Sequence, residues 1–152
     1  MSKLKLDTVY REMLKSDLPM VCDIERMCFE FPWEKSDFVA CLRDRNAMNI
    51  LVEVEDEIIG YFCFRKDSGQ IEILNIALDP NFRRQGIGSN LLVALKRSVD
   101  MFGGKEKIVA CVRESNLTAQ LWLRHNGFLA TKIEKQSYSE TYEDSYLFEY
   151  SV

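Results

Sequence analysis

The sequence has few of the residues from which metal sites and disulfide frameworks are built. It contains one histidine, His125, and five cysteines that are scattered and odd in number, with no CxxC pair among them. This usage indicates neither a zinc site nor a disulfide framework, and it is typical of buried, reduced thiols in the cytoplasm. We therefore expect no metal in this protein.

Long apolar runs are also missing. No apolar stretch approaches the roughly 18 residues of a membrane helix, and the N-terminal MSKLKLDTVYREM lacks the apolar core of a signal peptide. We expect a cytoplasmic protein that does not associate with membranes. The net charge of −4 makes nucleic acid a poor partner, whereas a cationic substrate is compatible with it.

The residues that are present have the composition of a globular protein. The chain has 152 residues, of which 47% are hydrophobic and 29% are charged. This length predicts a single domain over residues 1–152, and it leaves open a monomer or a homodimer.

Hydrophobic periodicity and turn residues predict the element order β-α-α-β-β-β-α-β-α-β-β. The predicted strands cover residues 6–13, 48–55, 58–65, 70–78, 107–112, 128–135 and 145–150, and the predicted helices cover 17–28, 35–45, 87–102 and 116–126. We expect Asp17 and Asn116 to cap helices, Asp56-Glu57 to form a hairpin turn, and Gly103-Gly104 to end a helix. Antiparallel strands that lead into βαβ units indicate an α/β protein with a mixed sheet and helices on both faces.

The stretch Arg83-Arg84-Gln85-Gly86-Ile87-Gly88 stands where a strand gives way to a helix. A helix N-terminus presents unpaired backbone N–H groups and a positive dipole end, so it binds anions. Glycine lets a phosphate approach the backbone, and arginine binds phosphate oxygens. The stretch is neither GxxxxGK[ST] nor GxGxxG. It therefore suits a pyrophosphate, unless the glycines only close a tight turn.

Two longer runs, NIALDPNFRRQGIGSNLL (75–92) and VRESNLTAQLWLRHNGF (112–128), resemble the GNAT family of acetyl-CoA-dependent N-acetyltransferases. The element order is similar to that of the family over essentially the whole chain. The resemblance implies the GNAT fold, a central mixed sheet of about seven strands with helices on both faces. The segment FEFPW (29–33) is most similar to the RimI- and Naa-type enzymes, which act on protein N-termini.

The resemblance implies acetyl-CoA as the cosubstrate. Backbone N–H groups of the arginine–glycine stretch would hold the pyrophosphate, and the strand after Asn75 would pair with the pantetheine arm. A backbone N–H near Ile76 would polarise the thioester carbonyl, and Asn116 would bind the coenzyme, cap its helix, or do both. The implied coenzyme-binding residues are Ile76, Ala77, Leu78, Arg83, Arg84, Gln85, Gly86, Ile87, Gly88, Ser89 and Asn116.

At two positions the chain departs from its RimI-like relatives. They carry a catalytic glutamate where this chain has Cys111, and a tyrosine where it has Leu123 beside Trp122. We expect Cys111 to be a buried packing residue. Glu72 lies fourteen residues before Gly86, where the histone acetyltransferases of the family carry their catalytic glutamate.

Glu72 is accordingly the candidate general base, because partial burial in an apolar strand would raise its basicity; a solvated place at the start of the strand is the alternative. For the general acid we predict Tyr138 or Tyr142, which lie in a tyrosine-rich loop before the last strand. Such tyrosines also serve as packing or peptide contacts.

The segment FEFPWEKS (29–36) would form the loop that walls the acceptor site in relatives. Phe31 and Trp33 would flank a peptide N-terminus, and Glu30 or Glu34 would attract its ammonium group. The same segment also suits a hydrophobic loop anchor. We therefore predict an acetyltransferase that acts on a protein or peptide amine. The alternatives are a small-molecule amine acceptor, such as a polyamine, amino acid or amino sugar, and a non-catalytic acyl-CoA-binding domain.

Overall fold

A computed structural model of the protein describes residues 7–67, 69–101, 107–138 and 140–151, with the backbone alone at 98–101. Contacts between residues divide the chain into two compact units. Unit 1 comprises Met1–Arg65 and Asn75–Gln85, and unit 2 comprises Lys66–Leu74 and Gly86–Val152. The single-domain expectation stays a prediction.

The predicted element order is confirmed. The strands are β1 (Thr8–Glu12), β2 (Ala47–Val54), β3 (Glu57–Asp67), β4 (Gln70–Leu78), β5 (Lys107–Arg113), β6 (Leu129–Tyr138) and β7 (Glu143–Tyr150), and the α-helices are α1 (Leu18–Cys28), α2 (Lys35–Arg43), α3 (Ile87–Met101) and α4 (Leu117–His125). The seven strands form one mixed sheet, as predicted, and their order in it is β1-β2-β3-β4-β5-β7-β6. The expected helix end at Gly103-Gly104 lies outside the described residues.

In unit 1, β1, β2 and β3 pair antiparallel. The hairpin between β2 and β3 turns at Glu55 and Asp56, which have φ angles of 52° and 64°. The predicted turn at Asp56-Glu57 was therefore wrong by one residue, because Glu57 already pairs with Val54. The core of the unit is formed by fully buried apolar side chains of α1, α2, β2 and β3, among them Leu18, Val21, Phe38, Leu51 and Tyr61.

In unit 2, the first half of β4 pairs parallel with β5, and β7 pairs antiparallel with both β5 and β6. Successive residues of a strand face opposite sides of the sheet. On one face of the sheet, the centre of the Tyr150 ring in β7 lies 4.1 Å from Nζ of Lys96 in α3. The Lys96 ammonium also donates a hydrogen bond to the carbonyl of Asn126, after α4. The core includes Leu92, Ile108, Phe128 and Phe148, all nearly inaccessible to solvent.

The last hairpin is longer than predicted. Strand β6 extends to Tyr138, and strand β7 already begins at Glu143. The loop between them is therefore only a few residues long. The sequence TKIEKQS (131–137) has polar residues on both faces because β6 is the edge strand of the sheet and its side chains are exposed. An exposed edge strand lacks the alternation by which strands are recognised.

Asp17 does not cap α1 with its side chain, contrary to expectation. Its carboxylate accepts a hydrogen bond from the Leu14 backbone N–H at 2.8 Å and closes the short 3-10 turn Lys15–Asp17. The Arg11 guanidinium donates to both Asp17 oxygens, at 2.9 and 2.8 Å. Nε of the same guanidinium donates to Glu53 at 2.6 Å. Because Arg11 donates to it, the pKa of Asp17 is held below its ordinary value.

Replacing Arg11 with methionine is expected to lower the Tm at pH 7 by about 5 °C, because two carboxylates lose their shared cation. The folded-state pKa of Asp17 lies below the unfolded one. The stabilisation is therefore present above the unfolded value and is lost as the pH falls through the folded value. Thermal melts from pH 7 down to about 3 should show the two proteins converging below about pH 4. Arg45→Met, at an exposed arginine of the same unit, serves as the control. A constant gap at all pH values would contradict this assignment.

None of the helices in the described ranges has the length and apolar character needed to cross a bilayer.

Candidate active site

The segment Asn75–Leu78 of β4, which the resemblance assigns to the pantetheine arm, lies in unit 1. Ala77 and Asn75 are buried, and Ile76 and Leu78 are half-buried. The Asn75 side-chain amide donates to Oε2 of Glu25 in α1 at 2.8 Å. This strand segment is therefore fixed from its side-chain face by a buried polar contact.

Arg83 turns back onto the end of β4. Its Nε donates to the carbonyl of Leu78 at 3.2 Å, and its Nη2 lies 3.2 Å from Sγ of Cys28 at the end of α1. The Cys28 thiol also contacts the Leu78 carbonyl, at 3.4 Å. Burial raises the pKa of the Cys28 thiol, although the Arg83 cation opposes the shift. In this structure, Arg83 organises the end of the strand.

Arg84 has a left-handed backbone conformation, with φ of 63°. This region is unfavourable for a residue with a Cβ atom. The Arg84 side chain is exposed, as is that of Gln85. Strained backbone conformations of this kind are concentrated at functional sites.

Helix α3 begins directly after the turn. The backbone N–H of Asn90 donates to the carbonyl of Gly86 at 2.9 Å, so Gly86 is the N-cap. The amides of Ile87, Gly88 and Ser89 are the first of the helix, and helix geometry gives them no intrahelical acceptor. These are three of the N–H groups that the resemblance assigns to the pyrophosphate.

The two glycines of the turn serve different purposes. Gly86 has φ of 80° and open space where a Cβ would lie. A Cβ on Gly88 would lie 3.2 Å from Cζ2 of Trp122 in α4. The missing side chain of Gly88 therefore makes room for Trp122, and the role of both glycines in admitting a phosphate stays a prediction.

One face of the sheet in unit 2 carries the candidate catalytic residues. Glu72 of β4 is paired with Val109 of β5, two residues before Cys111, so Glu72 and Cys111 face the same side.

The same face continues onto β7 and β6. Cys111 is paired with Leu147 of β7, and Leu147 is paired with Lys132 of β6. Tyr138 of β6 is paired with Glu143, which lies on the same side as Leu147. The sequence left open whether Glu72 is partly buried in the strand or solvated at its start. The Glu72 side chain is half-buried.

Cys111 is exposed, so the expectation of a buried packing residue was wrong. Its neighbours in the strand, Ala110 and Val112, are buried. Partial desolvation of the sulfur, and then the charge of Glu72, raise the pKa of the Cys111 thiol. The thiol is therefore protonated at neutral pH and is a poor base, whereas Glu72 acts electrostatically on this position.

The two candidate tyrosines have different environments. Tyr138 is half-buried, and the Arg113 guanidinium carbon lies 3.8 Å from the centre of its ring. Burial raises the pKa of the Tyr138 hydroxyl, and the Arg113 cation partly opposes this. Tyr142 is 74% exposed and has φ of 56°. Only Tyr138 has the fixed surroundings that a catalytic group needs.

Arg113 organises this end of the sheet, and sequence reasoning did not single it out. Besides stacking on Tyr138, it forms ion pairs with Glu140 at 3.6 Å and Glu143 at 3.4 Å. It thereby ties the turn between β6 and β7 to the end of β5. The one sequence signal for Arg113 is that it belongs to the segment VRESN (112–116). From the sequence, that segment was used only to predict the role of Asn116.

The expected helix cap at Asn116 is confirmed. Its side-chain oxygen accepts the Ala119 backbone N–H at 3.1 Å. Leu123, at the position of the tyrosine in relatives, is buried and offers no proton. A role of Asn116 in coenzyme binding stays a prediction.

The loop between α1 and α2 carries the predicted acceptor-site residues in unit 1. Glu30 and Phe31 are exposed, whereas Trp33 is half-buried with its ring 5.2 Å from that of Phe38. Glu34 is the N-cap of α2. The loop therefore combines an exposed tip with a base anchored at Trp33, and its role at the acceptor site stays a prediction.

Within the described residues, no three histidine, cysteine or acidic side chains are grouped in a way that would hold a metal ion.

Fold and sequence together define the class of protein. The model of the Acetyltransferase (GNAT) family matches residues 18–128, so the chain belongs to this family and is an acetyltransferase. The [ribosomal protein bS18]-alanine N-acetyltransferase of Salmonella typhimurium is 27% identical over 132 residues, which cover 86% of this chain and 88% of that protein.

Two solved structures show the same fold. The ribosomal-protein-S18-alanine N-acetyltransferase from Escherichia coli matches with a TM-score of 0.83 at 23% identity, covering 96% of this chain and 94% of that one. Arabidopsis thaliana NAA60 in complex with acetyl-CoA matches with a TM-score of 0.80 at 18% identity, covering 96% and 100%.

Proposed function

We propose that this protein transfers the acetyl group of acetyl-CoA to the N-terminal α-amine of a protein. The observation that carries the proposal is the relationship to a bS18-alanine N-acetyltransferase over most of both chains. The solved structure of NAA60 with acetyl-CoA supports the choice of coenzyme. The charge of −4 is compatible with an acceptor that arrives as a cation.

For the coenzyme, we assign the pyrophosphate to the arginine–glycine turn and the pantetheine arm to β4. Support comes from the amides of Ile87, Gly88 and Ser89 at the start of α3, since helix N-termini bind phosphate oxygens. The strained Arg84 supplies a guanidinium, which binds such oxygens in a bidentate manner. A backbone N–H near Ile76 would polarise the thioester carbonyl, as the resemblance implies.

For the chemistry, we assign proton removal to Glu72 and proton donation to Tyr138. The neutral amine attacks the thioester carbon, so a C–N bond forms and the C–S bond breaks. The amine proton passes to the Glu72 carboxylate, directly or through water, and the departing coenzyme thiolate takes a proton from the Tyr138 hydroxyl. An α-amine has a pKa of roughly 8 and is partly neutral at pH 7, which favours it over a lysine side chain as acceptor.

The test is acetylation of matched peptides, read by mass spectrometry and by coenzyme release. Peptides beginning with Ala, Ser or Met and containing an internal lysine are compared with the same peptides carrying a blocked N-terminus, and with polyamines. Acetylation of the free N-terminus alone supports the proposal. Modification of the blocked peptides at lysine, or of polyamines in preference to every peptide, would reject it.

The strained Arg84 allows its charge to be tested separately from its backbone conformation. Arg84→Ala and Arg84→Gly both remove the guanidinium, and we expect both to weaken acetyl-CoA binding by about tenfold. The glycine variant relieves the positive φ and should be more stable than the alanine variant by about 1 kcal/mol. Calorimetric titration and thermal melts measure the two quantities. Wild-type affinity in both variants would remove Arg84 from the coenzyme site.

A further inference from the structure

Glu25 is a fully buried carboxylate, only 2% exposed, in the last turns of α1. It accepts three hydrogen bonds, all within unit 1. Its Oε1 accepts the backbone N–H of Trp33 at 2.9 Å. Its Oε2 accepts the Asn75 side-chain amide at 2.8 Å and also the Tyr61 hydroxyl. All three partners donate, which is the pattern that suits a carboxylate and no other side chain.

Aromatic rings complete a closed cluster around this carboxylate. The Trp33 ring lies edge-on to Phe38, with centroids 5.2 Å apart, and Phe38 lies edge-on to Tyr61 at 5.4 Å. Phe38 and Tyr61 are inaccessible to solvent. Burial, and then the adjacent Glu25, raise the pKa of Tyr61, so its hydroxyl remains a donor. The cluster of Glu25, Trp33, Phe38 and Tyr61 therefore links α1, the α1–α2 loop, α2 and β3.

Two of the three partners of Glu25, Trp33 and Asn75, belong to the segments of unit 1 to which binding roles were assigned. Trp33 anchors the base of the α1–α2 loop, whose tip carries Glu30 and Phe31. Asn75 directly precedes Ile76, the first residue assigned to the thioester. A buried charge that loses one of its partners is costly, so the loop and the strand are held together strongly.

We propose that Glu25 is a positioning residue for acetyl transfer: its carboxylate fixes the acceptor-site loop at Trp33 against the coenzyme-binding strand at Asn75. Glu25 touches neither substrate. Its two oxygens set the distance between the bound amine and the thioester before either substrate arrives, and such preorganisation is reflected in the reaction rate. This inference rests on the proposed function.

Glu25→Gln is the direct test, because the variant nearly preserves shape. A glutamine has one acceptor oxygen, whereas Trp33 and Asn75 are bound by different oxygens of Glu25. Because the Trp33 backbone N–H can only donate, the glutamine oxygen stays with the loop and its NH₂ group faces the strand, where Asn75 keeps a hydrogen bond only by turning its own oxygen toward it. We expect the KM for the peptide to rise about tenfold and kcat to fall, with the Kd of acetyl-CoA within about twofold of wild type.

Val21→Ala is the matched control, since Val21 is a fully buried residue one turn earlier in α1. It lowers stability by opening a cavity, without touching the hydrogen bonds of Glu25. Tyr61→Phe removes one donor and leaves the Trp33 and Asn75 contacts in place. We expect both variants to keep the wild-type KM for the peptide.

The outcomes separate the two proposals. A wild-type protein that acetylates no peptide N-terminus overturns the proposed function and this inference together. An active wild type with Glu25→Gln indistinguishable in KM and kcat from Val21→Ala overturns the positioning role alone. A raised peptide KM in Glu25→Gln, absent from Val21→Ala and Tyr61→Phe, supports it.

Discussion

Replacing Glu72 with glutamine is expected to lower kcat for peptide acetylation about a hundredfold or more, the range found when a general base is lost. Acetyl-CoA binding should change little, because glutamine keeps the size of the side chain and β4 keeps its ladder with β5. Single-turnover rates and a calorimetric Kd measure the two effects. A wild-type rate in Glu72→Gln would remove Glu72 from the mechanism.

Because Cys111 is exposed, the role of Glu72 can also be tested by placing a carboxylate at position 111. RimI-like relatives carry glutamate at this position, and Glu72 faces the same side of the sheet in this chain. We therefore expect Cys111→Glu, introduced into Glu72→Gln, to restore about tenfold or more of the lost rate. Cys111→Ser is the control and should leave the wild-type rate unchanged, because the thiol is protonated at neutral pH. Failure of the double variant to gain activity would mean that the two positions do not serve one reacting group.

The parts of the fold that were predictable are those in which local sequence and tertiary environment agree. Strand β4 covers Gln70–Leu78, as predicted, because a nearly continuous apolar run between turn residues suits a strand covered on both faces. Helix α4 begins after Asn116 because this side chain caps it. These signals depend only on neighbours in the sequence.

The features that were missed depend on contacts distant in sequence. Nothing near Gly88 indicates that its missing side chain makes room for Trp122, since the two residues lie on different helices. The Glu55-Asp56 turn has two acidic residues at positive φ, where glycine or asparagine would have revealed it. The buried place of Glu25 was hidden because charged residues in helices are usually exposed.

In the candidate site, too, local sequence predicted some residues, whereas others depend on contacts distant in sequence. The resemblance predicts Glu72 by its spacing from Gly86, and the tyrosine-rich segment offers Tyr138 and Tyr142 without distinguishing them. The distinction comes from Arg113, which packs against the Tyr138 ring and pairs with the turn that follows. A guanidinium that organises a hairpin from the neighbouring strand has no pattern in sequence.

Tyr138→Phe is expected to lower kcat about a hundredfold, because the departing thiolate loses its proton donor while the ring keeps its packing against Arg113. Tyr142→Phe is the matched control: the same hydroxyl is removed four residues later, from a side chain that is 74% exposed. We expect no change in its kcat. Equal losses in the two variants would assign both tyrosines to peptide contact and neither to proton transfer.

The pH dependence of the wild type tests the same assignment independently. An acid must be protonated to act, and burial raises the pKa of Tyr138 above its ordinary value of 10.0, although Arg113 partly opposes the shift. The midpoint of the loss of activity caused by ionisation of Tyr138 should therefore lie above pH 10. Arg113→Met removes the cation that lowers the pKa of Tyr138, together with its packing on the ring. The alkaline limb of the pH–rate profile should therefore move to still higher pH. A limb that moves to lower pH in Arg113→Met would show that the titrating group is not Tyr138.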